Sequence, residues 1–213
     1  MRPAESASTA RTDLFGLLAC ARLTAFERRA ADAGRVMSYA DKVVLGGLAV
    51  GAFAQFERLR DRLIELGADP PEVMRPFWEA ITEFNDRTRP ADALEALTKV
   101  YIGDAIMADF YVAVAGGAEP GTQAVVAESL ADAGYTEVLA ERLRAAADTD
   151  SRLASRLGLW ARRLAGEALS QANAIARDRA TLAALVGEEG VEAMFGHVLD
   201  KHTARMRTIN LRD

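Results

Sequence analysis

The sequence predicts an all-α fold, in which long helices joined by short loops form a bundle. Apolar residues recur every three or four positions through long segments, which is the spacing of one face of a helix. No segment shows the apolar–polar alternation of a half-buried strand, and the hairpin dipeptides Asn-Gly and Asp-Gly do not occur. Glycine and proline occur together in two turns, at residues 67–71 and 116–121, which separate helical segments.

Length and composition are typical of a globular protein with one sizeable core. The chain has 213 residues, of which 50% are hydrophobic and 27% are charged. A chain of this length fits one domain. Residues 1–11 lack the basic start and apolar centre of a signal peptide. We therefore expect residues 1–11 to be a disordered tail and residues 12–213 to form a single helical domain.

Charge and cysteine content restrict the environment and the partners. The net charge is −5, which disfavours a nucleic-acid-binding surface. The uncharged run from Val43 to Phe56 is shorter than the roughly 20 apolar residues that span a bilayer. Cys20 is the single cysteine, so an intrachain disulfide and a cysteine metal cluster are excluded. We expect a cytoplasmic protein with no membrane segment.

Two long helices open the predicted bundle. The first covers about residues 12–33, and Arg22 is the charged member of an apolar stripe spaced four residues apart. The second covers about residues 42–67 and ends at Gly67, because glycine is the usual residue just past a helix end. Gln55 is the one polar member of its apolar stripe. The stripes of both helices thus contain a polar side chain near the middle.

A third long helix covers about residues 91–115, after a short helix at about 71–85. Pro90 precedes it, which is typical of a helix start. Its inner stripe includes Tyr101, Asp104 and Tyr111. Asp109 lies five residues after Asp104 and therefore about 140° around the helix. The sequence leaves open which of the two aspartates faces the interior.

The second half of the chain predicts three more helices. Helix four covers about residues 122–147 and has Glu128, Asp132 and Tyr135 on its predicted inner stripe. Helix five covers about residues 151–186, with Glu167 on its stripe. A last helix covers about residues 191–209.

Polar side chains at matching depth on several helices are how ligand and metal sites are built in helical bundles. We expect at least three of the following side chains to meet in the interior. They are Arg22, Gln55, Asp104, Glu128, Asp132 and Tyr135, with Glu167 as a further member.

Several stretches resemble the ferritin-like proteins related to tRNA hydroxylases of the MiaE type, in their actinobacterial form. These stretches are LTAFERRAADA, FERLRDRLIELGADP, YIGDAIMADFY, LADAGYTE and SRLGLWARRLAGEALSQA. The resemblance implies a ferritin-like four-helix bundle with additional C-terminal helices. It also implies two metal ions that activate dioxygen, and tRNA as the substrate.

The chain departs from that family at the positions of the metal ligands. The resemblance implies a glutamate where this chain has Arg22, and Glu-x-x-His where it has Ala52 and Gln55. It also implies an acid and a histidine where the chain has Asp132 and Tyr135. We therefore predict no di-metal site and no cofactor, so the chain is not a conventional di-iron oxygenase.

Two classes of function then remain, and whether the chain is an enzyme stays open. In the first, a degenerate hydroxylase homologue binds a small organic ligand, or carries out metal-independent acid/base chemistry, in the former metal cavity. In the second, the chain is a non-catalytic scaffold or interaction protein. A tRNA-hydroxylase-like enzyme with a residual metal site is a further alternative. A central cavity large enough for a ligand favours the first class, and a filled centre favours the second.

Each candidate residue has a role in the first class. Arg22 anchors the ligand and pairs with Asp132, Asp104 or Glu128, which replaces the positive charge of the metals. The catalytic candidates are Arg22, Asp132, Tyr135 and Glu128. The ligand-binding candidates are Gln55, Tyr101, Asp104, Tyr111 and Glu167. The expected partners are a small molecule and, because ferritin-like bundles often pair through helix faces, a second copy of the chain.

Overall fold

The computed structural model describes residues 3–131, 134–186 and 190–211. Within these ranges the secondary structure is helical and contains no strand, which confirms the all-α prediction. The α-helices are α1 Pro3–Arg35, α2 Tyr39–Glu65, α3 Pro70–Met74, α4 Trp78–Arg87, α5 Ala93–Thr98, α6 Ala105–Ala115, α7 Pro120–Leu130, α8 Tyr135–Thr149, α9 Ser151–Asp178, α10 Ala180–Ala183 and α11 Gly190–Thr208. A 3₁₀ turn, Arg75–Phe77, precedes α4, and a π-helical segment, Lys99–Asp104, joins α5 to α6.

The two longest N-terminal helices, α1 and α2, pack against each other and contribute much of the core. Both present leucines at helical spacing that are completely buried, namely Leu14, Leu17, Leu18, Leu45, Leu59 and Leu63. Full burial of one such side chain stabilises a fold by about 1.5–3 kcal/mol. The α1–α2 pair is therefore the rigid support for side chains that point inward from either helix.

Helix α1 begins earlier than the sequence predicts. Residues 3–11, expected to be a disordered tail, are helical from Pro3 onward. Proline is favoured in the first turn of a helix, and no second proline interrupts α1. Ala10 is buried, and Arg11 Nη1 lies 2.7 Å from Glu119 Oε1, next to the start of α7. Tertiary contacts therefore hold this segment against the bundle.

The third predicted helix is divided into α5, the π segment and α6. Asp92 caps α5 by accepting a hydrogen bond of 2.9 Å from the Glu95 backbone N–H. The π segment has wider turns than an α-helix, and such insertions are frequent at functional sites. It carries Tyr101 and Asp104.

The fourth predicted helix is interrupted and forms α7 and α8. Gly134, with φ of +86°, precedes α8 in the left-handed region that favours glycine. The predicted inner stripe of α7 is wrong, because Glu128 is exposed whereas Val126 and Ser129 are buried.

Helix α9 closes the bundle, and it is shorter than predicted. It packs against α4, α8 and the π segment, and α10 follows it as a separate short helix. Asp150 caps α9 by accepting from the backbone N–H groups of Arg152 and Leu153. No helix in the described part of the chain is both long enough and apolar enough to cross a membrane.

Candidate functional site

A cavity of about 300 Å³ lies among α1, α2, the π segment and α8. Five of the residues predicted from the sequence line it, namely Arg22, Gln55, Tyr101, Asp104 and Tyr135. The start of α6, the last residues before the α7–α8 break and Arg205 of α11 complete the wall. The structure therefore brings together, around one space, polar side chains that are far apart in the sequence.

Arg22 is the most unusual side chain in this wall. It is only 6% exposed, and its Nη1 atom lies 3.5 Å from Gln55 Oε1, which is a long hydrogen bond. Its Nε atom is buried and has no hydrogen-bond partner among the residues that the structure describes. Burial lowers the pKa of the Arg22 guanidinium, and the nearby Tyr111 phenol opposes part of that change. The site thus holds a desolvated cation with weak polar support.

The sequence analysis named Asp104 as a possible partner of Arg22, but Asp104 pairs with Arg29 instead. Arg29 Nη2 forms an ion pair with Asp104 Oδ2, and Arg29 Nη1 donates to the Leu48 carbonyl oxygen at 2.8 Å. Burial, together with the positive charge of Arg22, lowers the pKa of Arg29 to about 9. Sequence reasoning missed Arg29, although it lies seven residues after Arg22 and hence on the same helix face.

Gln55 connects α2 with the end of α7, and Tyr135 brings the start of α8 against α2. Gln55 Nε2 donates to the Ala131 carbonyl oxygen at 3.1 Å, while its Oε1 faces Arg22. The Tyr135 hydroxyl lies so close to Gly47 that a Cβ atom there would be 2.2 Å from the phenol oxygen. Glycine at position 47 therefore permits the close approach of the phenol to the α2 backbone.

A smaller cavity of about 50 Å³ adjoins the site and shares Arg22, Arg29 and Asp104 with it. Tyr111, which is 1% exposed, lines this smaller space, and burial raises the pKa of its phenol. Lys99 lines it from the π segment. Tyr111 is therefore next to the main cavity but is not among the residues that line it.

Lys99 is a buried amine that sequence analysis did not single out. Its Nζ atom donates to Asn85 Oδ1 and to the Thr88 carbonyl oxygen, each at 2.9 Å. Burial lowers the pKa of Lys99 from 10.5 to about 8, although the nearby Asp32 carboxylate favours the charged form. At neutral pH the folded state therefore carries the cost of a buried charge.

This buried amine predicts a pH dependence of stability. Between about pH 8 and pH 10.5 the unfolded chain binds more protons at Lys99 than the folded chain does, so its contribution to the unfolding free energy increases with pH. The gain is at most about 1.4 kcal/mol per pH unit. Urea unfolding of the parent and of Lys99→Met at several pH values measures it as the difference between the two proteins.

Subtracting the unfolding free energy of Lys99→Met from that of the parent removes the contribution of groups that titrate in the same way in both proteins. Burial raises the pKa of the Cys20 thiol to about 12, which reduces the stability of both proteins alike at alkaline pH and cancels. A parent-minus-variant difference that stays constant from about pH 7 to pH 10 would contradict the prediction.

Besides Tyr111, two of the predicted residues in the described part of the chain, Glu128 and Glu167, do not line the cavity. Glu128 is exposed and lines a separate surface depression with Arg62. Glu167 lies 3.6 Å from Arg87 of α4 and does not line the cavity. Asp132 lies outside the described residues. Asp109, the alternative to Asp104, instead contacts Lys201 and Arg205 of α11.

A comparison with known protein families identifies the family to which the chain belongs. The family described as ferritin-like domain, actinomycetes, matches residues 6–189, which is most of the chain. The chain belongs to this family. The all-helical structure and the match together support the ferritin-like fold expected from the sequence. A search of curated proteins finds no match to this ferritin-like domain.

The described side chains around this cavity do not fit a carboxylate-bridged metal pair. Such sites use glutamates from two helices and a Glu-x-x-His motif from each of two others. In the described part of the chain, no group of three or more His, Cys, Asp or Glu side chains is placed to hold a metal ion. The carboxylate of Asp104 is already paired with Arg29, and the Arg22 cation occupies the same wall.

Proposed function

We propose that this ferritin-like domain binds a small organic ligand in its central cavity, without a metal pair. The supporting observation is the cavity itself: about 300 Å³, lined by polar side chains from α1, α2, the π segment and α8. Ligand pockets in proteins start at about this volume and combine apolar walls with a few convergent polar groups. If the chain were only a scaffold, we would expect side chains to fill this space, because protein interiors are closely packed.

The proposal includes descent from MiaE-type hydroxylases with loss of the metal chemistry. The ion pair between Arg29 and Asp104 provides, in this view, part of the charge balance that metals supplied in the ancestor. We favour binding over acid/base catalysis. The Asp104 carboxylate in the cavity wall is already engaged in the ion pair with Arg29. Burial raises the pKa of the Tyr101 phenol, which makes it a hydrogen-bond donor and not a base.

Two glycines of α2 offer a matched test. Gly51 lines the cavity and Gly46 does not, and a Cβ atom at either would meet no heavy atom within 4 Å. We expect Gly51→Leu to fill part of the cavity and reduce ligand binding, and Gly46→Leu to leave it unchanged. Both changes replace a poor helix former and should not reduce stability.

The measurement is an NMR screen of a library containing anionic, neutral and cationic fragments. Hits in the parent should shift the amide signals of cavity residues such as Ala52 and Ala108. The same hits should be weakened in Gly51→Leu and retained in Gly46→Leu. If no fragment shifts these signals in the parent, the binding proposal is wrong, and the scaffold alternative takes its place.

A further inference from the structure

The charge of Arg22 is not compensated by any acidic group in the described ranges. The ion pairs found in residues 3–131, 134–186 and 190–211 do not include Arg22, and Asp104, the acid in the same wall, is taken by Arg29. Within the described ranges, the Arg22 side chain makes one hydrogen bond, the 3.5 Å contact with the Gln55 amide oxygen. A buried cation of this kind is costly unless a negative partner approaches it.

The other cations of the wall already have partners. Arg29 pairs with Asp104, and Arg205 Nη2 lies 2.6 Å from Asp109 Oδ2. Arg22 and Arg29 are close enough that the charge of Arg22 contributes to the lowered pKa of Arg29. Among the described residues, the wall therefore presents one positive charge, that of Arg22, which has no acidic partner. A single negative charge on a ligand would balance it.

The rest of the wall favours an apolar ligand body. Apolar surface comes from Leu48, Ala52, Ala108 and Leu139, and the ring of Tyr101 lies on the same wall. A volume of about 300 Å³ corresponds to roughly ten water molecules at about 30 Å³ each. The cavity thus suits a molecule with on the order of ten non-hydrogen atoms.

We propose that the ligand is a small monocarboxylate with an aromatic or branched apolar body, whose carboxylate binds the Arg22 guanidinium. The planar guanidinium offers parallel N–H donors that match a carboxylate, and such charge-assisted pairs are among the strongest hydrogen bonds. Gln55 orients the guanidinium through its Oε1 atom while its Nε2 atom is held by the Ala131 carbonyl oxygen. This inference rests on the proposed function.

Three probes of similar shape and different charge test the ligand class by calorimetry at low salt. They are phenylacetate, phenylacetamide and phenethylamine. Phenylacetate should bind the parent at least about tenfold more tightly than the neutral amide, because a hydrogen bond between charged groups contributes more than a neutral one. Phenethylamine, a cation, should bind least.

Two arginine variants localise the effect. Arg22→Met should reduce phenylacetate affinity to that of the amide, and Arg22→Lys should retain part of the preference for the anion. Arg58→Met removes an exposed arginine of α2 outside the cavity. It should change neither the affinity for phenylacetate nor the preference for phenylacetate over the amide. Circular dichroism confirms that each variant is folded before its affinity is compared.

The outcomes separate the two proposals. Equal binding of phenylacetate and the amide, or tighter binding of the amine, overturns the carboxylate inference and leaves the ligand cavity standing. A preference for phenylacetate that survives in Arg22→Met also overturns it. If these probes and every fragment of the library fail to bind the cavity, the proposed function itself is wrong, and the ligand class falls with it.

Discussion

Replacement of Asp104 by asparagine is expected to destabilise the protein by about 3 kcal/mol, because it leaves Arg29 as an unpaired buried cation. The Arg29 side chain is 10% exposed and the Asp104 side chain is 27% exposed. Breaking a buried pair by removing one partner is more damaging than losing the pair altogether. Urea unfolding of the parent and the Asp104→Asn variant measures the change.

A surface pair and a double variant provide the controls. Asp86 is about half exposed, and its contacts with Arg28 and Arg89 are 3.2 Å and 3.4 Å long, so Asp86→Asn should cost no more than about 1 kcal/mol. The double variant Asp104→Asn with Arg29→Met should recover part of the loss, because the buried charge is gone. A double variant less stable than Asp104→Asn alone would argue against the ion pair as the cause.

Replacement of Arg22 by methionine is expected to stabilise the protein, whereas Asp104→Asn destabilises it. The ligand-free protein should become more stable by about 1–3 kcal/mol, since a buried cation that has no acidic partner in the described part of the chain is exchanged for an apolar side chain of similar length. For a chain of this size that gain corresponds to a rise in the melting temperature of several degrees, roughly 2–4 °C per kcal/mol. Thermal unfolding followed by circular dichroism measures it.

This prediction separates a functional arginine from a structural one. If Arg22 were satisfied inside the ligand-free fold, Arg22→Met would lower the melting temperature, and the uncompensated-charge account would fail. Arg58→Met is the matched exposed control and should shift stability by no more than about 0.5 kcal/mol. A stabilised Arg22→Met variant whose phenylacetate affinity has fallen to that of the amide would be the pattern expected of a site that sacrifices stability for binding.

The helices that follow a regular period are the ones whose inward side chains the sequence predicts well. Arg22 in α1 and Gln55 in α2 occupy apolar stripes, and both line the cavity. Glu128 fails because the face that α7 buries consists of Thr122, Val126 and Ser129, and α7 ends at Leu130, before the predicted helix four does. The turn at that end is held by a contact from a distant helix, the hydrogen bond from Gln55 to the Ala131 carbonyl oxygen. A local pattern contains no information about such a contact.

Arg29 and Lys99 could not be identified from the sequence for the same physical reason. The i,i+7 spacing from Arg22 to Arg29 indicates a shared face, yet it does not say that Arg29 would reach Leu48 and Asp104. From the sequence, Lys99 is expected to be a solvent-exposed charge. In the structure Asn85 of α4 and Thr88, which follows α4, cover it and accept its hydrogen bonds. Burial of a long cationic side chain depends on its neighbours in space.

By itself, the sequence determined that this chain is all-α and which faces of α1 and α2 carry polar groups into the core, because helical periodicity is a property of consecutive residues. Only the tertiary structure decided the partners of those groups. Asp104 lies within reach of Arg29, and the interior charge of Arg22 is left facing a cavity. Ion pairing depends on distances between helices, which no spacing along one helix specifies.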